Sequence, residues 1–394
     1  MKLKILSLSL FFFQVVYAQW ISLRPMPTPR QEMPAVLVNR KIYIIGGITT
    51  NLLEGFVTKK IEVYDISSNI WKALKDMPAQ RHHAAIATIQ NKIYVIGGFD
   101  NVDFNPVNTL FVYDIQNDNW SQAQKLPIKS GAGDAVTFNN KIYFFGGANK
   151  QHTLDTSLMY DPFTNSWTVL QPMPTPREHI AVTVIDSLIY ITAGRGSTDA
   201  DKLLQIYDPK TNTWTNGTPL RTPRSGSDAV THDHKMYVLG GEGNRAFNEF
   251  EEYDPLINSW DSFPRMLHAR HGLGCVVLND TLYAIGGATQ PGFAPCAFND
   301  AFVFNSIPTR LLFNKTNKLE VYWQNENELI LKIPTLKNTG ILSVYNSEGI
   351  LMYKKEIVLH QPVFIETNMW HLGWYLYSLL IDEELFISPL ISGR

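Results

Sequence analysis

One spacing recurs six times along this chain and leaves few folds open to it. Glycine doublets stand at Gly46-Gly47, Gly97-Gly98, Gly146-Gly147, Gly240-Gly241 and Gly286-Gly287, with Ala193-Gly194 in the remaining place. A tyrosine precedes each by three residues: Tyr43, Tyr94, Tyr143, Tyr190, Tyr237 and Tyr283. A second tyrosine, followed by aspartate, recurs as Tyr64-Asp65, Tyr113-Asp114, Tyr160-Asp161, Tyr207-Asp208 and Tyr253-Asp254. Seven residues after each comes Trp71, Trp120, Trp167, Trp214 or Trp260. The sixth unit carries Phe304-Asn305 in the Tyr-Asp place and no tryptophan after it.

A period of this length, with short β-rich runs such as Lys92 to Ile96 ending at Gly-Gly, is the period of a four-stranded propeller blade. Turn residues Asn91-Lys92 and Asn139-Asn140 separate the first two strands of a unit. The small residues of His82 to Ile89 suit a strand crowded around an axis. The missing tryptophan lies at the other end of the chain. Trp20 precedes Arg30 by ten residues, as Trp71, Trp167, Trp214 and Trp260 precede Arg81, Arg177, Arg224 and Arg270. Trp20 is therefore expected to supply the outer strand of the last blade and close the ring, which removes an exposed sheet edge.

These motifs resemble the kelch repeat family over residues 19–306. The resemblance implies an all-β, six-bladed propeller closed by the N-terminal strand, in which the signature Gly, Tyr and Trp are structural. Family members include a copper radical oxidase of galactose, whose Tyr and Cys ligand pattern finds no match here, and a periplasmic sialic acid mutarotase.

Both ends of the chain differ from the repeats. Lys2 and Lys4, an apolar run from Ile5 to Val16 and the small residue Ala18 read as a signal peptide over residues 1–18, placing the protein outside the cell or on its surface. The run is too short to span a bilayer, and no integral membrane segment is expected once the leader is removed. Residues 307–394 lose the repeat register. Leu319 to Ile333, Ile341 to Tyr345, Ile350 to Ile357 and Trp374 to Ile381 read as strands of a small β-sandwich. The stretches from Ile341 to Gly349 and from Leu372 to Leu376 resemble the type A sorting domain of the type IX secretion system. That likeness implies secretion machinery as a partner, and a periplasmic location if it fails.

Function has to be sought on the loops. With 34 basic against 36 acidic residues, the chain lacks the charge of a nucleic-acid binder. Arg30, Arg81, Arg177, Arg224 and Arg270, with Lys129 in the third unit, form one basic residue per blade. They are candidates for binding carboxylates of acidic peptides or sugars. The loops after Gly-Gly are longest in units six, one and two, and place Phe56, Phe104 and Phe293 on a rim. Glu178 and His179 beside Arg177 are the candidate acid–base pair if the protein is a sugar mutarotase or epimerase. His82, His83, His179, His271, Glu32 and Glu178 would approach the channel mouth, but with no local spacing that specifies a metal, so neither metal nor cofactor is expected. Cys275 and Cys296 are candidates for a disulfide in an exported chain. The expected activity is non-catalytic binding of a protein or glycan by a monomer, with a structural role at the cell envelope as a further alternative.

Overall fold

A computed structural model describes residues 20–50 and 55–304 and, beyond them, strands between 320 and 392. The expected leader, residues 1–18, lies outside the described residues. One compact unit spans Ala18–Phe304, and the strands from Glu320 onward belong to a second.

The first unit is a six-bladed propeller. Blade one is an antiparallel meander of Ala35–Val38, Lys41–Ile45, Ile61–Asp65 and Ile70–Ala73. Blades two to five repeat it, starting at Ala85–Ile89, Gly131–Phe138, Ala181–Ile185 and Asp228–His232. Blade six consists of Gly274–Leu278, Thr281–Ile285 and Asn299–Val303, and its outer strand is Trp20–Ser22. Trp20 pairs with Phe302 and Ser22 with Asp300, so the N-terminal strand closes the ring as the spacing predicts. The same register corrects one alignment. Phe302, not Phe304, occupies the place of the blade tyrosine, as Tyr64 does opposite Trp71.

Each repeated residue has one job in this scaffold. Every blade tryptophan donates its indole N–H to a carbonyl at the exit of the preceding blade, from Trp71 to Arg24 (2.9 Å) through Trp260 to Thr218 (2.7 Å). Trp20 completes the ring by donating to the Pro264 carbonyl at 3.0 Å. Each tyrosine hydroxyl donates to an Asn or Asp five residues on, as Tyr64 does to Asn69 at 2.8 Å, so a buried polar tip is satisfied inside its own turn. Gly46 shows why the doublet is glycine. Its φ is +61°, and a Cβ there would lie 2.4 Å from the Arg81 carbonyl of the next blade. That approach lets Gly47 donate to the same carbonyl at 2.7 Å, which ties neighbouring blades together.

The second unit contains two antiparallel sheets. One joins Glu320–Asn325, Glu328–Lys332 and Val363–Glu366. The other orders Leu351–Val358, Thr339–Asn346, Gly373–Ile381 and Glu384–Ser392. The strands expected at 341–345, 350–357 and 374–381 are present; Val363–Glu366 and Glu384–Ser392 were not read from the sequence. Among the described residues no helix is long and apolar enough to cross a membrane.

Candidate functional site

Six equivalent residues, each two places after the arginine position of its blade, meet around the propeller axis. They are Glu32, His83, Ala132, His179, Gly226 and Gly272, and all adopt the left-handed conformation, with φ of 52°, 50°, 56°, 53°, 61° and 55°. Each donates its backbone N–H to the carbonyl of the corresponding residue in the preceding blade, from His83 to Glu32 (3.0 Å) round to Glu32 to Gly272 (2.8 Å). The result is a closed ring of six hydrogen bonds. A left-handed non-glycine residue costs on the order of 1 kcal/mol, so the ring holds four strained residues in place.

Side chains from this ring and the position before it build a compact cluster. Glu32 lies 3.2 Å from His83 Nε2 and 3.1 Å from His271 Nδ1. His271 Nε2 in turn lies 3.3 Å from Glu242 and 3.0 Å from the Gln290 carbonyl. Burial alone would raise the Glu32 carboxyl, but the imidazoles of His83, His271 and His179 around it hold it well below the usual range. Burial keeps the His83 imidazole well below its ordinary value even beside Glu32. His271 moves the other way: burial opposes its charge, but its contacts with Glu32 and Glu242 raise it.

Glu178 and His179 touch each other through Oε2 and Nδ1. Arg195 completes the arrangement, donating to Glu178 Oε1 at 3.0 Å and to His179 Nε2 at 2.7 Å, and reaching Glu242 at 3.5 Å. A two-residue ladder holds the pair in place, with Arg177 paired to Gly196 and Glu178 to Arg195. Among the described residues, blades one, two, five and six have an isolated bridge at this place. A second cavity of about 360 Å³ opens beside this cluster, lined by Arg195, Asp201, Ser225, Glu242 and Gly292 among others.

Below the ring runs the axial channel, a cavity of about 440 Å³ lined by the innermost strands. Its small residues, Ala87, Ala135 and Ala229 among them, are the ones that crowding around an axis requires. Besides Glu32 at its mouth, two further acids line it. Asp134 accepts from the Ala135 and Val182 amides, and Asp228 from those of Ala229 and Cys275. Burial, with the Asp228 charge nearby, pushes the Asp134 carboxyl up to about 8, and burial pushes Asp228 to about 6.

The basic ring is a correction to the sequence reading. Arg30, Arg177 and Arg270 are 0 % exposed, Arg224 1 % and Arg81 5 %, so none offers a guanidinium to a ligand on the loop face. Each turns inward onto its own blade. Arg30 bonds the Gly46 carbonyl and Glu62, Arg177 bonds the Ala193 carbonyl and Gln205, and Arg270 bonds the Ala284 carbonyl and Asp300. Arg224 pairs with Glu251 at 3.0 Å, and Arg81 reaches Thr109 and lies over the Phe111 ring. The planar five-donor fork suits this stapling of a loop to the third strand. In blade three the equivalent residue is the buried Ser130, whose carbonyl accepts from Gly98 as that of Arg81 does from Gly47. Lys129 is exposed beside it.

The expected aromatic rim is present in part. Phe104, Phe293 and Val102 are each half exposed. Phe56 is partly covered and meets Phe293 edge to face at 5.9 Å, joining the loops of blades one and six. Phe104 packs on His82 and His83, linking the rim to the axial cluster. Cys275 and Cys296 are both free thiols, which overturns the expected disulfide. Cys275 sits on the innermost strand facing the channel, whereas Cys296 precedes the third strand.

Comparison with known proteins agrees with this architecture. A match to the Attractin/LZTR1 beta-propeller family spans residues 4–244. The chain belongs to that family. Its fifth unit, residues 223–267, also matches the Kelch motif. Human Kelch-like protein 28 is 30% identical over 89 residues, covering 22% of this chain and 16% of the relative. The Aspergillus terreus Kelch-like protein terF is 36% identical over 84 residues, covering 21% of this chain and 18% of the relative. The matches thus reach less than a fifth of either relative's length. The solved structure of YjhT aligns with a TM-score of 0.61 at 17% identity, covering 71% of this chain and 95% of that one, and shows the fold.

Sequence reasoning missed Arg195, Glu242, Asp134 and Asp228. One signal was available for the ring itself: the residue two places after each arginine is Glu, His or Gly, and only a common backbone requirement links those types.

Proposed function

We propose that this is an exported propeller that binds a protein or glycan ligand on its loop face. The supporting observation is the set of half-exposed apolar loop residues Val102, Phe104 and Phe293, of which Phe104 packs on the polar axial cluster. Exposed apolar side chains on a rigid scaffold suit a partner that buries them, and aromatic faces suit both protein side chains and sugar rings. Kelch propellers typically act as protein-binding modules, which favours a protein. The buried arginines play no direct part in this reading. The signal peptide and a C-terminal sorting sandwich complete it, with the protein secreted or held at the cell surface. Surface capture with the full chain and with F104A and F293A variants tests the proposal. A partner retained equally by all three would exclude the rim.

A second reading, a sugar mutarotase or epimerase, draws support from Glu178, His179 and Arg195. A carboxylate and an imidazole in contact, with a guanidinium on both, can pass a proton to and from an anomeric oxygen beside the neighbouring cavity. An anomer-exchange assay with E178Q distinguishes this reading from binding alone, because a binder converts nothing.

A further inference from the structure

We propose that Glu32, His83 and His179 form a site for a borderline divalent transition-metal ion such as zinc. Their ligand atoms lie within 4.8 Å of one another, and two imidazoles with one carboxylate are a common zinc donor set. His83 Nε2 and Glu32 Oε2 are already 3.2 Å apart, close to the roughly 3.3 Å that separates two ligands on one tetrahedral zinc. The three residues come from blades one, two and four, and the hydrogen-bonded backbone ring holds all three at the channel mouth. All three line the axial cavity, so the cluster is open to an ion entering from it.

The hydrogen bonds around the cluster orient its nitrogens for this role. The Asn101 carbonyl lies 2.9 Å from His82 Nε2, which places the proton of that ring on Nε2. His82 Nδ1 is then an acceptor, and the His83 Nδ1 in contact with it is the donor. His83 Nε2 is left with its lone pair directed at the Glu32 carboxylate. A cation shared between those two groups, a proton or a metal ion, satisfies both. His179 is held through Nδ1 by Glu178, the carboxylate–imidazole arrangement that orients a metal-binding ring and leaves Nε2 as its ligating atom. The Arg195 guanidinium now sits on that Nε2 at 2.7 Å. Arg195 is half exposed, so it can swing out when an ion enters. Gly272 makes room for the carboxylate, since a Cβ there would lie 2.4 Å from Glu32 Oε1.

The test is titration of the metal-free full chain with zinc chloride alone, read by calorimetry and by competition with a chromophoric chelator. One ion per chain is expected, with affinity at least tenfold weaker in E32Q, H83A and H179A. Arg195 competes for the site from an exposed position, so R195Q should fold normally and bind zinc several-fold more tightly. X-ray absorption at the zinc edge should show nitrogen and oxygen neighbours only. No zinc retained by the native chain, undiminished binding in H83A, weaker binding in R195Q, or a sulfur neighbour from Cys275 or Cys296 would each overturn the proposal. If H83A fails to fold, R195Q and the absorption spectrum still decide it.

Discussion

The Glu32 backbone N–H donates to the Gly272 carbonyl at 2.8 Å, joining the first blade to the last at the axis. At the periphery Trp20 makes the corresponding closure by pairing with Phe302. The ring is thus sealed twice, once through the inner loops and once through the outer strand, and the inner seal also carries the side chains of the axial cluster.

Gly272→Ala should disturb the inner seal. The φ of +55° is strained for alanine, at a cost of about 1–2 kcal/mol. Its Cβ would also push the Glu32 carboxylate away from His271. The expected result is a modest fall in denaturation midpoint, with a larger change in the His271 imidazole resonances. Unchanged resonances would show that Glu32 does not depend on this space.

Trp20→Ala should weaken the outer seal. Trp20 is 7% exposed, packs on Phe250 and Phe302, and donates to Pro264. Loss of a buried tryptophan costs about 3–5 kcal/mol. Urea unfolding of the native and variant chains measures it, and a loss under about 1 kcal/mol would mean that the closure adds little.

Arg270→Ala should lower stability rather than ligand affinity. The change leaves Asp300, 1% exposed at its side chain, without its 2.7 Å partner. Breaking a buried pair from one side costs about 3–5 kcal/mol. Arg81→Ala should cost less, since Arg81 holds a hydroxyl, a backbone carbonyl and an aromatic face instead of a carboxylate partner.

The channel acids make stability depend on pH. Asp134 and Asp228 are raised in the folded state, to about 8 and about 6, above the value near 4 of an unfolded aspartate. Between those values the native state holds protons that the unfolded state releases, so this contribution falls as pH rises from about 4 to about 8. The slope from one such group is at most about 1.4 kcal/mol per pH unit. Asp134→Asn should flatten the decline between pH 6 and 8, whatever it does to the absolute stability. An unchanged slope would assign the dependence to other groups.

Phe104→Ala and Phe293→Ala should separate binding from folding. Both rings are half exposed, so stability should fall by about 1 kcal/mol or less. If the rim is a contact surface, each should lower affinity for the captured partner by about 2 kcal/mol, near thirtyfold.

The propeller was legible in the residues because each motif makes the same contact in every blade. Trp20 could be assigned to the sixth unit from its distance to Arg30 alone, and the pairing with Phe302 agrees. Where the repeat frays, spacing misleads: Phe304-Asn305 imitates the Tyr-Asp pair two residues past Phe302, and Lys129 stands one residue before the true equivalent Ser130, because the sixth unit lacks its own tryptophan and the third its arginine.

Spacing in the sequence decided how many blades there are, where each strand lies and how the ring closes, since these depend on local turns and on contacts repeated every blade. Folding decided which way the side chains turn. The arginines face inward because carbonyls and, in three blades, a carboxylate await them there, a fact that no spacing encodes. Glu32, His83 and His179 are separated by whole blades in the chain. They meet because the axis gathers one position from every blade, and only the closed ring brings those positions together.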